Sequence, residues 1–173
     1  LDGEKQTHQP TSDQRAVFFT AHYNAFWGKK ELADKVEKTF QRTALVKEKM
    51  YVRPEVLMNA LATEEDIKRG CAIIDMGAQT TTMTIFKNDR YVYNKVVSLG
   101  GLDITRDIQL LGVSFEYAER LKCEFGNAAW EIGMPDPCYR VPDTEGGTVM
   151  LRTSDIHEAI FTRLNQIFAT FRE

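Results

Sequence analysis

The chain has 173 residues, 43% hydrophobic and 27% charged, enough apolar content for a buried core in one domain or two small lobes. This composition excludes collagen, low-complexity disorder and a coiled-coil rod. A formal net charge of -3 and a pI near 5.7 argue against the basic surface of a dedicated nucleic-acid binder, so no nucleic-acid partner is expected. No apolar run approaches the roughly 18 residues that span a bilayer. The sequence opens on Leu1 and shows no signal peptide, which leads to the expectation of a piece cut from a longer chain. Cys71, Cys123 and Cys138 are odd in number and form no C-x-x-C pair, so neither a disulfide framework nor a zinc site is expected, and a reducing, cytoplasmic setting is the default.

Residues 1–14 are polar and read as a flexible tail or cut linker. AVFFTAHYNAF (16–26) is aromatic and β-branched and predicts a buried strand ending near His22, a structural histidine. From Gly28 to Thr43 the period turns helical, with Leu32, Val36, Thr39 and Phe40 on one face and Lys and Glu around the rest. ALVKEKMYV (44–52) predicts a short strand, and Pro54 sits in the first turn of a helix over PEVLMNALAT. TEEDIKRG (63–70) reads as a charged connector without a core pattern. CAIIDM is then a short apolar strand ending on an acid, GAQT a turn, and TTMTIFK an alternating second strand. Asn88-Asp89 signals a hairpin, RYVYNKVVSL a third strand, and Gly100-Gly101 a break before a helix over LDITRDIQLLG. Ser114 is a good N-cap for a helix that ends at Gly126. Residues 127–147 read as a loop or short-strand excursion, and TVMLRT as a strand. Ser154 or Asp155 caps a last helix, which carries Ile156, Ile160, Leu164, Ile167 and Phe171 on its apolar face and runs off the end of the chain.

The chemistry concentrates in D75-M-G-A-Q-T-T-T82. Small residues in a turn between two strands let backbone N–H groups approach a phosphate, and Thr80 and Thr81 add hydroxyl donors. Asp75 at the strand end can hold hydrated Mg²⁺, an ion that needs only one or two carboxylates. The Walker pattern is absent. The same residues also suit an ordinary hairpin whose Asp75 is satisfied by turn amides. Glu119 and Lys122, three apart, share one helix side. They are either a surface ion pair or a carboxylate for ribose hydroxyls beside a lysine stem for a base.

Residues from about Val52 to Ala128 resemble the FtsA family of bacterial cell-division proteins, members of the actin-like ATPase superfamily. The resemblance runs through PEVLMNALATEEDIKRG, CAIIDMGAQTTTMTIFKNDRYVYNKVVSLGG, DITRDI and FEYAERLKCEFGNA, in that order. It implies an α/β fold: an actin-like, ribonuclease-H-like half-molecule, with a mixed sheet, flanking helices and a small inserted α+β subdomain. The implied bounds are 15–102 for the main subdomain, 103–155 for the insert and 156–173 for a truncated returning helix. By the same resemblance Asp75 would hold Mg²⁺ through water, and Gly77, Ala78, Gln79, Thr80 and Thr81 would line the phosphates of ATP. Gly100 and Gly101 would form the turn at the cleft, and Glu119 and Lys122 would contact ribose and adenine.

The sequence departs from the family pattern D-I-G-G-G-T-x-D at Ala78, Gln79 and Thr82. A Cβ in place of each glycine narrows the approach to phosphate, and loss of the second acid weakens the metal and water network, so hydrolysis suffers more than binding. The first phosphate loop, the late adenosine motif and the amphipathic membrane helix of the family do not occur in this sequence, so these residues alone are expected to bind nucleotide weakly and to hydrolyse none. The implied partners are FtsZ, a second copy of the chain in a filament or dimer, and the inner face of the cell membrane at the division septum. The PilM branch of the fold, whose D-x-G-A-T-x-T-T is as close to DMGAQTTT, would instead take a pilus membrane-protein peptide. The TEED connector and the F-G-N-A ending favour FtsA. A degenerate scaffold without nucleotide function and a sugar-kinase-like enzyme are the remaining readings.

Overall fold

The computed structural model describes residues 15, 17, 18, 20, 21, 23, 25, 27–88, 90–129, 131 and 133–172. The chain divides into two compact units, Leu1–Val52 and Arg53–Glu173.

In the first unit, the helical period produces α1 (Lys30–Gln41), none of whose residues is buried. The strand expected over 44–52 does not form, and none forms among the described residues of 16–26. The described residues of 16–26 and all of 44–52 lie outside any strand, with Val17 and Val46 more than nine-tenths exposed. An apolar run becomes a strand only where a neighbouring ladder takes its N–H and C=O groups, and composition does not supply the neighbour. The polar tail and His22 lie outside the described residues.

The second unit begins with α2 (Arg53–Leu61), with Pro54 in its first turn. The expected connector is instead a helix, α3 (Glu64–Arg69). Thr63 Oγ1 accepts from the Asp66 N–H at 3.2 Å, and the Asp66 carboxylate accepts from the Thr63 N–H at 2.9 Å. Ion pairs one turn apart, Glu64–Lys68 and Glu65–Arg69, run along it. This reciprocal cap starts a six-residue helix that has no buried residue.

β1 (Cys71–Met76), β2 (Thr81–Lys87) and β3 (Arg90–Val97) form an antiparallel sheet in the order β1-β2-β3. Asn88, at φ 52°, opens the second hairpin. All pairing among the described strands is antiparallel, whereas a mixed sheet would need a parallel neighbour.

α4 (Gly101–Gln109), α5 (Phe115–Phe125), the two-stranded sheet β4 (Cys138–Pro142) with β5 (Thr148–Arg152), and α6 (Thr153–Ala169) follow. Their apolar faces share one core: Ile104, Ile108, Val113, Ala118, Leu121, Val141, Leu151, Ile156 and Ile160. Ser114 caps α5 by accepting from the Tyr117 N–H. Gly126 ends α5 at φ −64°, so it is there for space: a Cβ would stand 2.2 Å from the Lys122 carbonyl oxygen. The N-cap of α6 is Arg152, two or three residues earlier than expected; Asp155 serves from inside the helix by accepting the Arg152 N–H at 2.9 Å. Asp136, distant in sequence, takes the Ser154 N–H and both the Thr153 and Ser154 hydroxyls. α6 does not run off the chain; it closes at Ala169 with Thr170 as its C-cap.

Candidate functional site

β1 and β2 zip together from Cys71↔Phe86 to Met76↔Thr81, which leaves Gly77–Thr80 as a four-residue turn. The Gly77 N–H donates to the Thr80 carbonyl at 2.8 Å, and Ala78, Gln79 and Thr80 are exposed at its tip. The turn docks by its carbonyls on the start of α4: Gly101 N–H donates to Gly77 O at 2.9 Å and Leu102 N–H to Ala78 O at 2.8 Å. Two of the helix's orphan amides are thereby satisfied. A Cβ on Gly100 would lie 2.5 Å from Gly77 O and 2.8 Å from the Ala78 carbonyl carbon, so a glycine is required by close approach. Gly100 also donates its N–H to Asp103 at 2.8 Å.

Glu119 and Lys122 meet this junction from α5. Lys122 Nζ donates to Gly101 O at 3.1 Å, to Glu119 Oε2 at 2.7 Å and to Thr105 Oγ1 at 2.8 Å. The Thr105 hydroxyl also contacts Glu119 Oε2. The Lys122 ammonium and the Thr105 hydroxyl hold the Glu119 carboxyl below the usual carboxylate range, so it is ionised at neutral pH. The Lys122 side chain is 19% exposed and that of Glu119 42%, and all three Lys122 protons have acceptors within the protein.

Asp75 has neither turn amides nor an open face. It lines a cavity of about 40 Å³ together with Arg53, Pro54, Leu57, Ile73, Thr82 and Thr84, and the lining includes neither Glu119 nor Lys122. Both its oxygens are taken by Arg53, through Nε at 2.5 Å and Nη2 at 2.8 Å. Arg53 lies 22 residues upstream, and no spacing signal points to it. Mg²⁺ does not fit Asp75 as it stands, since a guanidinium already supplies the positive charge and the donors. Among the described residues no group of three or more His, Cys, Asp or Glu side chains could hold a metal. Thr81 is fully buried, and its hydroxyl donates to Leu99 O at 2.8 Å, which ties β2 to the segment leading into Gly100.

The turn, the Gly pair and the Glu119–Lys122 cluster are therefore contiguous, and Asp75 faces α2 instead. This architecture is that of the actin fold. Among solved structures it matches MreB5 of Spiroplasma citri bound to ADP, with a TM-score of 0.67 at 13% identity over 82% of this chain and 46% of that one. It also matches the PilM–PilN type IV pilus biogenesis complex, with a TM-score of 0.57 at 19% identity over 83% of this chain and 35% of that one.

Within that class the sequence is similar to FtsA over part of its length. The family described as cell division protein FtsA matches residues 72–151. FtsA of Helicobacter pylori strain J99 is 27% identical over 141 residues, which is 81% of this chain and 27% of that protein. FtsA of Bacillus subtilis strain 168 is 29% identical over 133 residues, 76% of this chain and 30% of that protein. FtsA of Agrobacterium fabrum is 30% identical over 129 residues, 74% of this chain and 29% of that protein. The chain thus spans 27% to 30% of the length of these three relatives. No helix among the described residues is long and apolar enough to cross a membrane.

Proposed function

We propose that this chain is the nucleotide-side part of an FtsA-type cell-division protein, which binds ATP and assembles with its own kind to link FtsZ to the inner face of the membrane at the septum. The observation that carries this reading is the turn Gly77–Thr80, exposed from Ala78 to Thr80 and pinned by two backbone hydrogen bonds to the start of α4 beside the ionised Glu119 and its Lys122. The tip offers backbone N–H groups and the Thr80 hydroxyl to phosphate; the α5 pair offers an acceptor for ribose and an aliphatic stem for a base. ADP in the MreB5 structure supports a nucleotide as the ligand of this fold. The subdomain bounds 15–102, 103–155 and 156–173 belong to the same proposal, as does FtsZ docking within 103–155.

Binding rather than turnover is the function these residues suit. Asp75 is tied to Arg53, and Thr82 stands where an acid would be needed. Phosphate contact would bias the protein between assembled and free states through differential affinity.

The test is thermal unfolding of the whole protein with and without ATP. A stabilisation that grows with the logarithm of ATP concentration is expected, and its absence at millimolar ATP overturns the nucleotide reading. A pull-down against an FtsZ tail peptide and a pilus membrane-protein peptide separates this reading from the PilM one, which the PilM–PilN likeness favours.

A further inference from the structure

Thr105 is fully buried, four residues into α4 after Gly101, and its hydroxyl lies within hydrogen-bond reach of three groups. It accepts from Lys122 Nζ at 2.8 Å, and its one proton has two candidate acceptors, Glu119 Oε2 and Gly101 O at 3.0 Å. Were the proton on Gly101 O, an oxygen lone pair would face the carboxylate at close range, so the proton belongs to Glu119. Lys122 then spends its three protons on Thr105, Glu119 Oε2 and Gly101 O. Glu119 Oε2 receives two donors, while the nearest donor recorded for Oε1 is the Cys123 thiol at 3.9 Å, a weak contact.

We propose that Thr105 is a positioning residue that divides the labour of this cluster. It locks Oε2 of Glu119 and the ammonium of Lys122 to the protein. That leaves Oε1 as the acceptor for the hydroxyls of a ribonucleotide and the lysine methylenes as the surface for its base. The proposal rests on the nucleotide reading above and adds a residue with no ligand contact of its own. Thr105 thereby sets the preference for a ribose over a sugar that lacks hydroxyls.

The experiment compares wild type, T105V, T105A and T105S in the whole protein. Val keeps the shape and removes the hydroxyl, Ala covers the case in which T105V does not fold, and Ser restores the hydroxyl. Two readouts are taken: the Glu119 carboxyl titration by carbon NMR, and the affinities for ATP and for 2′,3′-dideoxy-ATP. Wild type and T105S should favour ATP by about tenfold, the effect of one charge-assisted hydrogen bond, and T105V should bring the ratio towards one while the Glu119 titration moves up. A T105V protein that titrates and discriminates like wild type overturns the proposal and leaves the nucleotide reading standing. A wild-type protein that binds neither nucleotide overturns both.

Discussion

Arg53 holds Asp75 in a two-pronged ion pair, Nε to Oδ2 and Nη2 to Oδ1, across the face that α2 shares with β1. The strand-end acid, which the local sequence offers to a hydrated cation, is turned into an anchor for the helix before it. The Arg53 side chain is 72% exposed, so the pair is screened, and R53Q should cost no more than about 1 kcal/mol at low salt and less at high salt. Nucleotide titrations with and without a chelator supply the functional readout. Wild-type affinity should depend little on Mg²⁺, and R53Q, with its carboxylate released, should show a greater dependence.

Gly100 and Gly101 are neighbours with opposite tolerance. A Cβ on Gly100 collides with the backbone of Gly77 and Ala78, whereas one on Gly101 meets nothing closer than 3.8 Å. G100A should destabilise by about 1–3 kcal/mol, as overpacking against rigid backbone does. G101A, in the first turn of α4, should be neutral or slightly stabilising. Thermal unfolding of the two variants side by side checks the contrast.

The Asp136 carboxyl is held below the usual carboxylate range, first by the Ser154 N–H and then by the Ser154 and Thr153 hydroxyls. A carboxyl depressed in the folded state stabilises above its unfolded pKa and loses that contribution as pH falls through the folded value. Wild type should therefore melt above D136A at neutral pH, and the gap should close only in acid below the ordinary carboxylate range. Unfolding temperatures measured against pH decide this; a gap that widens on acidification would sink the assignment. Glu119 follows the same sign, with Lys122 as the largest cause.

Ile108 is fully buried and Leu110, two residues on, is 85% exposed. I108A should cost about 2–5 kcal/mol by leaving a cavity among α4, α5 and α6, while L110A should stay within about 0.5 kcal/mol. Denaturant midpoints at constant slope provide the check.

What was legible in the sequence was what short spacing controls. The first hairpin, the Asn88 turn, the Ser114 cap, the helix after Gly100 and the apolar face of α6 through Ile156, Ile160 and Ile167 all appear where alternation, turn residues and helical period put them, while Phe171 lies beyond the end of α6. The strand expected over 44–52, and the described residues of the one expected over 16–26, did not form because their evidence was composition alone. α3 was passed over because its signal is a Thr63–Asp66 box and a charge pattern rather than an apolar stripe. At the site, the turn and the Glu119–Lys122 pair were legible, but Arg53 and Thr105 were not, nor was Asp136 at the start of α6. Each acts on a residue 14 or more positions away, and no local pattern records such a meeting.

By itself the sequence determined an α/β chain with a small-residue turn between two strands and a carboxylate and an ammonium one helical turn apart. Those features depend on bonds between near neighbours. Only the tertiary structure decided how each polar group is used: Asp75 goes to a guanidinium, the turn's carbonyls go to α4, Thr81 goes to the backbone of Leu99, and Glu119 keeps one oxygen lightly engaged. A buried or half-buried polar atom takes whatever partner the packing of distant segments brings within about 3 Å, and that geometry exists only once the core has closed.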